Sequence, residues 1–421
     1  MNLMTDPQGR SDTGAAPRGL GTVQLAPEAG ALLRARLGIA PHEAPRITFI
    51  AGPGDVVGSF RYWCDGQQDA RVPVVTYSVM FYDLMEAFDA SAQVLAFQPF
   101  QGPPDPRFRF DLTARDPWTT RAEYIASERR YAAQALAHIR DFDPHVVIAG
   151  TDYPPAGWRG LARGRRLILT MHNTFWPMGR RDRSPKALFR RARLAWRARA
   201  VQDAVCTSDE CARQLADLTR GRIRGLVQRP QMLGAYPVKA LDRVRDLLFL
   251  GRIEANKGIF LLLDVFCRLR RAHPDLRLTF CGSGGAEAEL RRRIAETAPD
   301  AAQFLGRLSA EDVHRRIGLS DLVVCPTTAG FSEGLAMVGF EAAAHGVPTV
   351  MSSVVPAKDL LSGGCEVFPV DDAAALESVL AALIRDPERY RGLAAGLADI
   401  RAEMHDPGLS WGSQLGRVLL R

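Results

Sequence analysis

Two acids and two bases carry the chemistry that can be read most directly from this chain. Glu333 and Glu341 stand eight residues apart in Phe-Ser-Glu-Gly-Leu-Ala-Met-Val-Gly-Phe-Glu, just after the apolar run 322–326. Leu335 opens a run of helix formers reaching residue 345, which predicts one carboxylate at a helix mouth and the other inside the helix. Eight positions span roughly 12 Å at 1.5 Å rise, and eight steps of 100° return to nearly the same face. A pair so placed suits the hexose and the ribose of a sugar nucleotide. The simpler alternative is one glutamate favouring a helix N-terminus by its charge and the other solvated. Arg252 and Lys257, five residues apart in Gly-Arg-Ile-Glu-Ala-Asn-Lys-Gly, precede a helix start near Gly258. An Arg fork and a Lys point charge together neutralise a diphosphate, helped by free amides at a helix start. The spacing is not that of a Walker loop, and a chance surface pair would look the same.

Further along the same half, Gly282-Ser283-Gly284-Gly285 lets backbone approach a ligand or makes a plain turn. In the first half, Gly52-Pro53-Gly54-Asp55-Val56-Val57-Gly58 follows an apolar strand. As a dinucleotide fingerprint it fails, because its last glycine comes one residue late and the next strand lacks a terminal acid for ribose. His172 ends the apolar run 166–171, where a histidine serves either a site or the local structure. Asp141 and Asp143 precede Pro144 and read as a helix end, and no metal site is expected.

The order of these motifs is specific: Gly251-Arg252 with Lys257-Gly258, the Gly-rich turn, Phe304-Leu305-Gly306-Arg307, the run 321–326, then Glu333 and Glu341. It resembles the donor-binding half of the family four glycosyltransferases, retaining enzymes of GT-B fold, most closely over residues 246–385. The resemblance implies Arg252 and Lys257 on the donor diphosphate, Glu333 at the transferred sugar and Glu341 on the ribose hydroxyls. It also implies Arg307 near the base, Gly282, Leu335 and Ala336 at the donor, Gly54 near donor phosphate and acceptor, and His172 against the donor sugar. By the same analogy the acceptor attacks from the face the diphosphate leaves, the leaving phosphate takes the proton, and no metal or other cofactor is needed. Where the family commonly has Phe-Gly, this chain has Leu335-Ala336, which bears on the sugar preference.

The elements that must position these residues alternate. Apolar runs at 46–51, 72–77, 93–97, 145–149, 166–171 and 203–207 are separated by helical patterns, the longest at 120–140. After a Pro- and Gly-broken stretch the rhythm restarts with runs at 246–250, 276–281, 301–305, 322–325, 348–351 and 366–370. Near-continuous apolar runs between helices are strands of a parallel sheet covered on both faces. The expected fold is α/β, two Rossmann-like domains facing a cleft (GT-B). Its expected parts are a flexible leader with a short helix (1–44), an acceptor domain (45–228), a linker (229–245), a donor-binding domain (246–405) and a closing helix (406–421) packing back on the first domain.

At 421 residues, with 47% apolar and 24% charged, the chain has the composition of a soluble globular protein. No apolar stretch reaches the roughly 20 residues needed to cross a bilayer, and the first 26 residues lack a signal peptide's apolar middle, so a cytoplasmic location is expected. Seven cysteines without a Cys-x-x-Cys pair suit reduced thiols. The net charge of +7 is concentrated: residues 180–199 hold nine bases against one acid, Asp182. Within 186–200, Leu188, Phe189, Ala192, Ala195 and Trp196 share one helical face. This basic amphipathic helix either lies on an anionic membrane surface or packs its apolar face on the sheet. Nucleic acid is not expected as a partner, since no recognition motif accompanies the charge. The function expected is hexosyl transfer, with retention, from a nucleoside-diphosphate sugar to a glycan or lipid-linked acceptor. The alternatives are a sugar-nucleotide epimerase or hydrolase on the same fold, and a non-catalytic sugar-nucleotide-binding scaffold.

Overall fold

The computed structural model describes residues 19–421 apart from 73, 103–104, 179–181 and 240–241. Residues 1–18 of the expected leader, and Arg180 and Arg181 of the basic segment, therefore lie outside the described residues. Two wholly parallel sheets form the frame. The first contains β1 (Arg46–Ile50), β2 (Ser91–Ala96), β3 (Phe108–Leu112), β4 (Val146–Gly150), β5 (Arg166–Met171), β6 (Asp203–Cys206) and β7 (Leu226–Val227), in the order β3-β2-β1-β4-β5-β6-β7. The second contains β8 (Asp246–Leu250), β9 (Arg277–Cys281), β10 (Ala302–Phe304), β11 (Leu322–Cys325), β12 (Thr349–Ser352) and β13 (Cys365–Phe368), in the order β10-β9-β8-β11-β12-β13. Every residue of β4, β11 and β12 is buried, as strands with helices on both faces must be. Strand order reverses between β1 and β4 in the first sheet and between β8 and β11 in the second. At such switch points the flanking loops diverge and leave a crevice beyond the strand ends. The loops after β1, β8 and β11 open there.

Local chemistry explains most helix starts. Thr120 and Glu123 make a reciprocal capping box for the helix Arg121–Phe142. The run 72–77 is not a strand: β-branched Val72, Val75 and Thr76 favour extended backbone, but Thr76 accepts from the Val79 amide and caps the helix Tyr77–Phe88. Conversely, β3 and the two-residue β7 arise in stretches not expected to be strands. The leader is not loose throughout. Buried Asp83 accepts from the Leu20 and Thr22 amides, the Thr22 hydroxyl and Trp63 Nε1 at 2.6–3.0 Å, tying residues 20–22 to the first lobe. The last helix, Trp411–Leu420, leaves the second lobe and packs on the first, with Trp411, Leu415, Val418 and Leu419 in one core with Phe49 and Phe81. Arg166 donates to the carbonyls of Val418 and Leu419 at 2.7 and 2.8 Å, satisfying the end of that helix.

Candidate functional site

The loops after β8 and β11 meet the end of β5 around a cavity of about 410 Å³. Lys257, Glu333, Leu335, Ala336, Glu341 and His172 all line it. Its central contact joins two loops 76 residues apart: Lys257 Nζ lies 2.5 Å from Glu333 Oε2, with side chains only 15% and 10% exposed. Thr327 Oγ1 donates to the same oxygen at 3.3 Å. Beneath them, the Phe331 ring receives Lys257 Nζ at 4.3 Å and the Arg252 guanidinium at 5.0 Å from its centroid. The two cations are thus gathered by an aromatic face that the sequence reading passed over.

The glutamates are not arranged as their spacing predicts. The helix begins at Val338, not Leu335, and Glu333 lies before it in a loop. Ala336 has φ of 71°, a left-handed turn that breaks helical continuity, while the Leu335 carbonyl accepts from the Ala357 amide. The shared-face geometry therefore does not apply, and a loop turning over the strand end brings both carboxylates to the cavity. Nor is Glu341 solvated. It is 6% exposed, its Oε2 has no partner among the described residues, and burial pushes its carboxyl up to about 7. A buried carboxyl shifted toward neutrality on a cavity wall is a candidate functional group.

Raised in the fold, that carboxyl holds a proton between about 4.5 and about 7 which the unfolded chain has lost, so its stabilising contribution is complete below pH 4.5 and disappears as pH rises through 7. Glu341→Gln is accordingly expected to stabilise the protein by about 1 to 3 kcal/mol at pH 8 and to change little at pH 4.5. Chemical denaturation at the two pH values measures this, and equal effects at both would contradict it. His172 works in the opposite direction. Burial pushes it down to about 4, so below 6.5 the unfolded chain takes up a proton the folded ring refuses, and its contribution falls as pH drops toward 4.

Other expected site residues fall beside this cavity rather than in it. Gly54 lines a second cavity of about 400 Å³ with Asp55, Arg71, Tyr77 and Arg307, and His172 and Tyr77 border both cavities. There Asp69 holds Arg71 through Nε and Nη2 at 2.8 and 2.7 Å, and Arg71 Nη1 meets Asp55 Oδ2 at 2.5 Å. Arg252, Gly282 and Arg307 line a third hollow of about 310 Å³ that, like the first, is bordered by Leu250 and Gly251. Arg252 is half exposed and paired to Glu254 at 3.2 Å. Gly282 has φ of 136°, and a methyl there would overlap the Gly251 carbonyl oxygen, so the two strand-end loops lie backbone to backbone. Asp141 and Asp143 are matched by Arg109, Arg46 and Arg165 at a helix end. Tyr77, Asn173, Thr327 and Phe331 escaped the sequence reading; of these Asn173, next to His172, and Phe331, two residues before Glu333, carried a positional signal.

The lobes touch at this site. A methyl on Gly334 would overlap the His172 carbonyl oxygen, Thr174 Oγ1 donates to the Glu333 carbonyl at 3.5 Å, and Cys211 Sγ approaches the Gly334 carbonyl at 3.9 Å. Outside it, the helix Pro185–Ala198 turns most of its apolar stripe outward: Leu188, Phe189 and Trp196 are 55%, 67% and 47% exposed, while Ala195 packs on the core. Its inner side is made instead by Leu194, buried Ala198 and Arg191, whose guanidinium lies 4.3 Å over the Trp176 ring.

Residues 238–395 match the family model for glycosyl transferases group 1, and residues 78–224 that for glycosyltransferase family 4. Among curated relatives, the chain is 33% identical over 165 residues to a GDP-mannose-dependent monoacylated alpha-(1-6)-phosphatidylinositol monomannoside mannosyltransferase of Corynebacterium glutamicum, covering 36% of this chain and 42% of that one. It is 33% identical over 177 residues to the phosphatidyl-myo-inositol mannosyltransferase of Mycobacterium tuberculosis, covering 40% and 45%. The matched stretch thus spans less than half the length of these relatives. Among solved structures, sucrose-phosphate synthase from Thermosynechococcus elongatus superposes with a TM-score of 0.67 at 18% identity, over 89% of this chain and 98% of that one. Anabaena Alr3699/HepE in complex with UDP does so with a TM-score of 0.62 at 14% identity, over 89% and 99%.

Proposed function

Because the chain belongs to the family 4, group 1 glycosyltransferases and has the GT-B fold, we propose that it moves a hexose, with retention of configuration, from a nucleoside-diphosphate sugar to a lipid-linked or polysaccharide acceptor. The observation that carries this reading is the Lys257–Glu333 pair at the strand-order switch, with Glu341 on the wall of the same cavity. In this reading Lys257 and, through the adjoining hollow, Arg252 and Arg307 meet the diphosphate and base. Glu333 and His172 meet the transferred sugar, Glu341 takes the ribose hydroxyls, and the cavity at Gly54 and Asp55 receives the acceptor. Bond cleavage at the anomeric carbon builds negative charge on the departing diphosphate and oxocarbenium character on the sugar. Fixed cations stabilise the first, in the place a metal would otherwise take, and the Glu333 carboxylate the second. The departing phosphate oxygen accepts the acceptor's proton, so the acceptor enters on the face the diphosphate leaves.

Incubation with GDP-mannose or UDP-glucose, with and without a lipid extract, tests the assignment. Sugar transfer that requires the extract supports it. Epimerised or hydrolysed donor formed equally without extract would replace it with an epimerase or hydrolase, and binding without turnover with a scaffold.

The outward helix Pro185–Ala198 supports a peripheral place on an anionic membrane surface. Lys186, Arg190, Arg193 and Arg199 are exposed beside Leu188, Phe189 and Trp196, and none of these four cations has an ion pair among the described residues. Each base near such a surface contributes about 1 kcal/mol. In flotation with vesicles, recovery is expected with anionic but not neutral lipid. Arg190→Ala with Arg193→Ala should weaken it by about 2 kcal/mol, roughly thirtyfold. Equal, negligible recovery on both lipids would remove the membrane from the proposal.

A further inference from the structure

We infer that Thr170, whose hydroxyl oxygen is anchored by Trp411 at the start of the last helix, sets the tautomer of His172, so that Nδ1 carries the ring proton and acts as a hydrogen-bond donor to the ligand. Trp411 Nε1–H donates to Thr170 Oγ1 at 2.9 Å, and an indole nitrogen can only donate. Thr170 Oγ1 lies 3.3 Å from His172 Nε2. The threonine is 1% exposed, so its single hydrogen needs an acceptor inside the protein. Nε2 is the acceptor within its reach among the described residues, so the threonine hydrogen goes there and Nε2 must offer a lone pair. Nδ1 is left with the proton. The hydroxyl oxygen has a second lone pair and could accept from Nε2–H beside the indole, but that tautomer would strand the hydroxyl hydrogen.

Nδ1 is buried and has no partner among the described residues, while His172 lines both cavities. The ring is held in place by Tyr77, whose centroid lies 4.6 Å from His172 and 5.3 Å from Trp411. With the ring held neutral by burial, a bound group needs an oxygen lone pair to satisfy Nδ1–H. A hydroxyl or ring oxygen of the transferred sugar offers one. Trp411 and Thr170 are thus positioning residues, and a helix at the far end of the chain reaches the site through them. What the proton serves rests on the glycosyltransferase reading; which nitrogen holds it does not.

Two-bond nitrogen–proton NMR on histidine-labelled full-length protein distinguishes the tautomers, with His172→Gln assigning the signal among the eight histidines. The wild type is expected to be protonated at Nδ1. Thr170→Val removes the hydroxyl and should bring up the Nε2–H form, while Thr170→Ser, which keeps it, retains Nδ1–H. The wild-type tautomer is itself decisive if Thr170→Val does not fold. In titrations, Thr170→Val should weaken binding of the sugar nucleotide about tenfold, the loss of one hydrogen bond, and leave UDP or GDP binding unchanged. Nε2–H in the wild type, or Nδ1–H persisting in Thr170→Val, overturns the relay. If the tautomer is as expected and neither GDP-mannose nor UDP-glucose binds the wild type, the relay stands and the proposed use of these donors falls.

Discussion

Lys257→Ala is expected to lower sugar transfer by at least about a thousandfold at saturating donor while the protein stays folded. Charge that develops on a diphosphate in a water-poor cavity is stabilised by a preorganised cation by several kcal/mol, each 1.4 kcal/mol being a factor of ten. In the proposed reading Lys257 is that cation: it is 15% exposed, 2.5 Å from Glu333 and seated over Phe331. Its removal also leaves the Glu333 carboxylate, 10% exposed, without its counter-ion, which should destabilise the fold by about 1 to 3 kcal/mol. Adding Glu333→Ala should restore that stability without restoring transfer, which separates the structural from the catalytic share of the pair. Lys257→Arg is not a rescue, because a planar fork cannot occupy the lysine's place on both the ring and the carboxylate. Transfer by Lys257→Ala within tenfold of wild type would refute the placement of the diphosphate.

The second large effect is expected from one methyl group. Gly334→Ala places a carbon against the His172 carbonyl oxygen, backbone against backbone, where no side chain can yield. The overlap lies between lobes rather than within a core, so the variant should fold and melt close to wild type with the lobes held apart. Misplacing reacting groups by about 1 Å costs roughly a hundredfold, and a loss of at least that size is expected in transfer. Small-angle scattering should record a larger radius of gyration than wild type. Wild-type activity in Gly334→Ala would mean that transfer does not use the closed arrangement seen here.

Much of this site was legible in the chain because its parts are strand-end loops. Apolar runs such as 246–250 and 322–325 are continuous, so their ends, and with them Lys257 and Glu333, could be placed from local pattern alone. Parallel βα alternation then requires those loops to share one edge of the sheet. The run 72–77 misled because β-branched residues favour a strand while a single threonine hydroxyl, satisfying one orphan amide, tips the segment into a helix cap. Tyr77 was lost with it.

Residue types and order by themselves determined two α/β lobes, the loops that hold Arg252, Lys257, Glu333 and Glu341, and a basic amphipathic helix. Tertiary structure alone decided the properties that depend on surroundings. Glu341 holds its proton toward neutrality because helix and loop bury it. Leu188 and Phe189 face outward because Leu194 and Ala198 occupy the inner side of their helix. Gly54 lines the second cavity and not the one containing Lys257, whereas His172, from the same sheet, borders both. Periodicity encodes which face of an element is apolar. What lies against that face, and so its charge, its water and its partners, depends on contacts between residues as far apart as Thr170 and Trp411, and no local pattern records them.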